Sequence, residues 1–252
     1  MYKYELHLHT SEASACARSS GAELVDFYIK NGYSGMVVTD HFYHGNTRPS
    51  RELSWSDYID EYVRGYESAK EAARGRDFDV FFGIEEKFAS WDEYLIYGIT
   101  PDFLKRHPEL RDMKAEEFFP FMHNAGAFII QAHPYRERAY MRAQTILLRP
   151  NDVDAIEAYN CGNTPECNRR GYEYAKSTGL PMTGGSDCHA AEGSLFSGIA
   201  LPFRVHTDRE LIEAIREGKA EVLHLEEAMK PELTPPIFTV KYAQNRDFAK
   251  KM

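Results

Sequence analysis

Met36-Val37-Val38-Thr39-Asp40-His41 is an apolar run that stops on an acid and an imidazole, and the same pattern recurs down the chain. Val80-Phe81-Phe82-Gly83-Ile84 stops on Glu85-Glu86. Ala127-Phe128-Ile129-Ile130 leads through Gln131-Ala132 to His133, and Asp154-Ala155-Ile156-Glu157-Ala158-Tyr159 stops on Asn160. Tyr94-Leu95-Ile96-Tyr97 and Leu180-Pro181-Met182-Thr183 are further runs, and the alternating Tyr4-Glu5-Leu6-His7-Leu8-His9 reads as the first strand. Short continuous apolar runs suit strands covered on both faces, as in a parallel sheet.

The segments between the runs carry helix punctuation. Ser20-Gly21-Ala22-Glu23 is a capping-box pattern ahead of Leu24, Val25, Tyr28 and Ile29, with Gly32 as the stop. Thr207-Asp208-Arg209-Glu210 repeats the device before Leu211, Ile212 and Ile215, with Gly218 ending it. Further helices are expected over about 56–74, 114–125 and 165–178. Repeated strand–helix alternation implies a parallel α/β sheet, and about seven strands in 252 residues favour closure into a single-domain barrel.

In such a barrel the carboxyl ends of all strands open on one face, where active sites assemble. His7, His9, His41, Glu85, His133, Asp187 and His189 each fall at or just after a strand, so they are expected to converge. Imidazoles with carboxylates suit Zn²⁺, Mn²⁺ or Fe, and a carboxylate can bridge two ions. The two-residue strand period places His7 and His9 on one face. Asp40 reads better as a cap or supporting partner than as a ligand, and Glu86 is expected to face outward, opposite Glu85. His107, His123, His206 and His224 lack the strand-end setting, and His44 is held in reserve.

Composition narrows the classes. Lys and Arg number 30 against 39 Asp and Glu, a net charge of −9, which argues against a sequence-independent nucleic-acid coat or a basic membrane-surface module. A phosphorylated substrate held by a few local cations stays compatible. No secretory h-region opens the chain and no apolar stretch approaches the ~20 residues of a membrane span. Cys16, Cys161, Cys167 and Cys188 show no C-x-x-C spacing, so reduced thiols in a cytoplasmic protein are expected.

His7-Leu8-His9-Thr10, Thr39-Asp40-His41, Gly83-Ile84-Glu85, Ala132-His133-Pro134 and Ser186-Asp187-Cys188-His189 together resemble the ordered motifs of the polymerase-and-histidinol-phosphatase (PHP) superfamily. The resemblance runs from about residue 5 to 190. It implies a distorted (β/α)7 barrel over residues 1–230, with two or three divalent ions and activity on phosphoesters. It also implies that His7, His9, Glu85 and Asp187 hold one ion, with Glu85 bridging to a second bound by His133, and that His41 and His189 belong to a third position. Two motifs depart from the pattern. Where relatives place an Asp or His after His-x-His, this chain has Ser11-Glu12-Ala13-Ser14-Ala15-Cys16, leaving Glu12 or Cys16 as substitutes. Where many relatives begin a strand with His, it has Asp92-Glu93-Tyr94, leaving Asp92 or Glu93.

Grouped divalent ions lower the pKa of a bound water to near 7 and neutralise charge on phosphoryl oxygens. Arg136, three residues after His133, is a candidate for bidentate phosphate contact, with a surface pairing to Glu137 the alternative. Arg18, Arg48, Arg138 and Arg169 are weaker candidates. Asp187 and His189 are the candidates for protonating the leaving group. The expected activity is hydrolysis of a small phosphomonoester or short phosphodiester, with no stable nucleic-acid partner and no membrane. The alternatives are a nuclease acting on short oligonucleotide ends, an amidohydrolase-like C–N hydrolase, and a barrel that keeps metal only for structure. Residues 231–252, with Pro235-Pro236 and an expected helix from Tyr242 to Phe248, read as an extension packing on the barrel or on a partner subunit.

Overall fold

The structure, a computed structural model, describes residues 1–88, 92–137, 145–229 and 239–242. The chain opens with β1 (Tyr2–Glu5), α1 (Gly21–Lys30) and β2 (Gly35–Val38). Helices α2 (Trp55–Tyr62) and α3 (Arg64–Ala72) lead to β3 (Asp79–Lys87) and β4 (Glu93–Tyr97). Then come α4 (Pro101–Arg106), a 3₁₀ turn (Pro108–Asp112), α5 (Ala115–Asn124), β5 (Phe128–Ala132), β6 (Thr145–Leu148) and β7 (Ala155–Asn160). The remainder is α6 (Pro165–Thr178), β8 (Met182–Gly185), β9 (Ile199–Leu201), α7 (Asp208–Arg216), β10 (Glu221–Val222), α8 (Leu225–Ala228) and β11 (Thr239–Tyr242).

Nine strands form one sheet in the order β10-β9-β1-β2-β3-β4-β5-β7-β8. Its two edges approach each other: a Cβ on Gly184 in β8 would stand 2.7 Å from Val222 in β10 and 3.0 Å from the Gly198 carbonyl. The sheet is therefore a nearly closed barrel. Gly198 makes the seam between β1 and β9, because its φ of +125° and a Cβ position 2.1 Å from the Tyr4 carbonyl admit no side chain. The all-parallel expectation needs correction. β1, β2 and β3 are parallel, as are β5, β7 and β8, but β4 runs antiparallel to both β3 and β5. The link between β3 and β4 is too short for a parallel crossover, which needs a dozen residues or more. β9 likewise pairs antiparallel with β1 and β10.

Both capping boxes form. Ser20 accepts from Glu23 N, Thr207 accepts from Glu210 N, and each glutamate reaches back to its cap. The helix expected over 56–74 is two helices meeting at Val63, and those at 114–125 and 165–178 form nearly as expected. β11 pairs in parallel with β6, so Tyr242 ends a strand; the rest of the Tyr242–Phe248 segment lies outside the described residues.

One apolar cluster joins Tyr4, Val37, Phe81, Leu95, Phe128 and Ile130 of the barrel to Leu211, Ile212 and Ile215 of α7. This oily end sits where β1, β2 and β3 begin, leaving polar residues to the ends where they stop. At the same level Asp154 accepts from Ile129 N at 2.8 Å and lies 3.0 Å from His123 Nε2. Burial opposes its charge, but the His123 contact and the Ile129 N–H hold its carboxyl below the usual range. An acid depressed on folding stabilises above its unfolded pKa and loses that contribution as pH falls through the folded value. Asp154→Asn should therefore melt below wild type at pH 7, with the gap closing under about pH 4. Melting curves across pH check this, and a gap that persists in acid contradicts it.

Candidate metal centre

The carboxyl ends of the strands bring all seven candidate ligands into one place. His7 Nε2 stands 3.1 Å from Glu85 Oε1 and 3.6 Å from Asp187 Oδ1. His9 Nε2 is 3.1 Å from Asp187 Oδ1 and 3.8 Å from Glu85 Oε2. His41 Nδ1 lies 2.5 Å from Glu85 Oε2, and His133 Nε2 lies 3.3 Å from Glu85 Oε1. The His9 ring sits between those of His41 and His189, with centroids 4.2 and 4.3 Å away. Glu85 is the hub, since three of the imidazoles and His9 at longer range all face its two oxygens.

Two carboxylates join this set. Glu93 Oε2 is 3.5 Å from His133 Nε2, whereas Asp92 turns away to the Tyr94 hydroxyl and Arg149. Of the two substitutes near the start of β4, Glu93 is the one in the centre. Glu157, which the sequence reading treated only as part of a strand, has its Oε1 3.0 Å from His7 Nδ1 and its Oε2 accepting from His133 N. Its signal was a lone acid inside an otherwise apolar run. Ligand atoms of His7, His133 and Glu157 come within 4.8 Å of one another, as do those of His7, His9 and Glu85, of His41, Glu85 and Glu93, and of His9, His41 and His189.

Whether a metal fits can be judged from the donors. His7 Nε2, His41 Nδ1 and Glu85 Oε2 are buried, face one another at ion-pair range, and have no hydrogen-bond geometry. Buried polar atoms are almost always hydrogen-bonded, so three orphans sharing one small space mark a place built for another partner. Oxygen and imidazole nitrogen donors suit a borderline divalent cation.

The surroundings hold these donors stiffly. Asp40 is a supporting partner, as expected: its carboxylate accepts from Thr10 N and Ser14 Oγ at 2.6 Å and from Thr10 Oγ1 at 2.7 Å, while Ser14 Oγ accepts from His41 N. Glu5, a residue the sequence reading passed over, accepts from Leu6 N, His7 N, Ser186 N, Ser186 Oγ and the Tyr28 hydroxyl. That anchor ends the β1 ladder and ties His7 to the Ser186-Asp187 turn. His133 and Asp187 both have positive φ, +26° and +52°, a region uncommon for non-glycine residues, which His224 at +63° also adopts away from the centre.

Electrostatics divide the candidate ligands: against burial, the neighbouring carboxylates raise His7 well above its ordinary value and His41 to about 10, while Glu85, Asp187, His9 and His133 fall. Burial opposes charge on Glu85 and Asp187, yet His41 and His7 beside the first, and Arg136 and His7 beside the second, hold both well below the usual carboxylate range. Burial, reinforced by His41, keeps His9 neutral, and burial with Arg136 lowers His133. Neutral imidazole is the form that offers a lone pair to a metal. Burial also pushes Glu5 up to about 7, against its donors. At the rim, burial raises the Cys16 thiol, but hydrogen bonds with His189 and His41 outweigh it and bring the thiol down to about 6.

A cleft of about 430 Å³ opens over the cluster, lined by Cys16, His41, Glu85, Glu93, Arg136, Asp187 and His189 among others. A larger, more apolar hollow of about 680 Å³ shares Lys87 with it but contains none of the seven ligands, so the chemistry belongs to the smaller one. Arg136 is in the site: Nη1 donates to Asp187 Oδ2, Nη2 to Asn160 Oδ1 at 2.5 Å and Nε to Asn163 Oδ1 at 3.1 Å. Arg18 and Arg48 are exposed, Arg169 pairs with Glu166, none of the three lines the cleft, and Arg138 lies outside the described residues. Glu86 does turn away from Glu85, but it is 1% exposed rather than solvent-facing, because the His44 segment covers it and donates His44 N to Oε1. His107, His123 and His206 pair with Glu109, Asp154 and Asp79, away from the centre.

Residues 165–220 match the PHP-associated family (PHP_C). No curated protein sequence matches the chain. Among solved structures, the chain is similar to a two-domain protein containing a predicted PHP-like metal-dependent phosphoesterase from Bacteroides vulgatus, with a TM-score of 0.65 and 16% identity over 88% of this chain and 64% of that one. The chain thus spans less than two thirds of that protein. An amidohydrolase from Chromobacterium violaceum with bound sulfate and no metal aligns with a TM-score of 0.53 and 14% identity over 84% and 96% of the two chains. A lesion-specific endonuclease from Pyrococcus furiosus aligns at 0.53 and 14% identity over 88% of this chain and 57% of its own. At these identities the likeness is one of fold.

Proposed function

We propose that this chain, a barrel of the polymerase-and-histidinol-phosphatase superfamily, is a metal-dependent phosphoesterase that hydrolyses a small phosphomonoester. The observation that carries the reading is the set of orphaned, buried His7, His41 and Glu85 atoms, drawn from separate strand ends onto one spot. His7, His9, Glu85 and Asp187 would hold one divalent ion, Glu85 and His133 a second with Glu93 beside them, and His41 and His189 a third. Bound there, such ions supply an activated water and neutralise charge gathering on phosphoryl oxygens.

The chain's own residues do the rest. Arg136 fixes the Asp187 carboxylate and stands at the cleft wall, where its guanidinium meets an incoming phosphate. Asp187 is buried and held ionised, so with only the first two ions bound His189, whose side chain is 31% exposed, is the better proton donor to a leaving oxygen. With the third ion bound its Nε2 would be a ligand, because Nδ1 already faces the Asp187 carbonyl. With a net charge of −9 and a single arginine lining the cleft among the described residues, a long nucleic-acid track has little to bind to. Four free thiols fit a reducing compartment, and no helix among the described residues is long and apolar enough to cross a membrane.

The test is a substrate panel run beside elemental analysis: phosphomonoesters, bis-p-nitrophenyl phosphate, short oligonucleotides and simple amides. Monoester turnover that disappears on chelation and returns with Zn²⁺ or Mn²⁺ is the expected result. Turnover of oligonucleotides or amides alone overturns the reading in favour of a nuclease or a C–N hydrolase.

A further inference from the structure

Cys16 stands in the cleft wall with no part in the scheme above. We propose that Cys16 is a thiolate ligand of the ion held by His41 and His189, which makes that position selective for thiophilic divalent metals. The inference rests on the metal-centre reading.

Three observations carry it. First, Cys16 lines the cleft together with His41, His189 and Glu85. Second, the loop fixes it there: Ser11 N donates to Ser19 O, Ala15 N to Asn46 O, and Arg18 N to His189 O at 2.7 Å. The last of these ties the chain two residues after the thiol to the backbone of a candidate ligand. Third, the spot beside it is already half-built. His9, His41 and His189 offer ligand atoms within 4.8 Å of one another. Glu85 Oε2, on a side chain 1% exposed and with no hydrogen bond, faces the same place, 2.5 Å from His41 Nδ1 and 3.8 Å from His9 Nε2.

The competing donor is committed elsewhere. Both oxygens of Glu12 accept from Gly21 N at 3.2 Å, at the start of α1. Ser14 is bound to Asp40 and His41 N. Of the side chains from 11 to 16, only Cys16 brings a strong metal-ligating atom to the cleft. A thiolate among imidazoles selects zinc or cobalt over manganese, whereas an oxygen donor at the same place removes that preference. Binding would release the thiol proton to solvent, with no change of oxidation state.

The experiment titrates Co²⁺ and Zn²⁺ into metal-free wild type, Cys16→Ser and Cys16→Asp, with circular dichroism confirming the fold of each. Wild type should develop a near-ultraviolet thiolate-to-cobalt charge-transfer band, and both variants should lack it. Cys16→Ser should bind one equivalent of zinc more weakly by about tenfold or more, and Cys16→Asp should restore that equivalent with manganese. Zinc should also protect Cys16 of wild type from iodoacetamide, read by mass spectrometry. Unchanged zinc binding in Cys16→Ser together with undiminished labelling overturns the ligand assignment and leaves the metal centre standing. No bound ion in wild type overturns both.

Discussion

Replacing Glu85 with glutamine should cut chelator-sensitive phosphomonoester turnover by about a thousandfold or more, roughly 4 kcal/mol of transition-state stabilisation. The reason is its place at the hub. His7, His41 and His133 all lie within 3.3 Å of its two oxygens, and Oε2 has no hydrogen bond. An amide keeps the volume but offers one weak acceptor and one donor, so neither a bridge between two ions nor balance for the nearby imidazoles survives. Far-ultraviolet circular dichroism should be unchanged, because Glu85 lies at the end of β3 and its main-chain bonds to Phe42 N and Asp40 O do not involve the side chain. Steady-state kinetics with metal counting check this. A variant that retains near-wild-type turnover and metal content removes Glu85 from the mechanism.

The second large effect is on stability. Glu5→Ala should destabilise the fold by about 3–5 kcal/mol in denaturant titrations. Its carboxylate accepts from three backbone N–H groups and two hydroxyls, all in a fully buried place. Alanine leaves Leu6 N, His7 N and Ser186 N without partners and opens a cavity beside Tyr28. Unlike Glu85→Gln, this change should also loosen His7 and the Asp187 turn, so metal affinity falls along with stability. A loss under about 1 kcal/mol would show that water or a shifted side chain replaces Glu5 at small cost.

The two variants separate what was legible from what was not. Strand ends could be read because the runs before His41, Glu85, His133 and Asn160 stop on chemically loud residues, and barrel closure makes those ends one place. The capping boxes at Ser20 and Thr207 were legible because they are local, needing only four consecutive residues. The reversal of β4 was readable in principle from the short link after β3, but apolar runs alone carry no direction. β6, β9 and β10 are two to four residues long, too short for a periodicity. Glu5 and Glu157 escaped because an acid within a strand resembles solvent-facing alternation; only burial against His7 reveals its role. The choice of Glu93 over Asp92, and of Cys16 over Glu12, depended on which neighbour each carboxylate meets. Tertiary contacts decide that, and spacing does not.

The central claim is that strand ends from across the chain build one multinuclear cation site. Anomalous scattering from crystals grown with Zn²⁺ or Mn²⁺ tests it most directly. Two or more peaks are expected, one beside His7, His9 and Asp187, another beside His133, with Glu85 between them. A single peak at the surface, or none within the cleft at millimolar metal, would contradict the account.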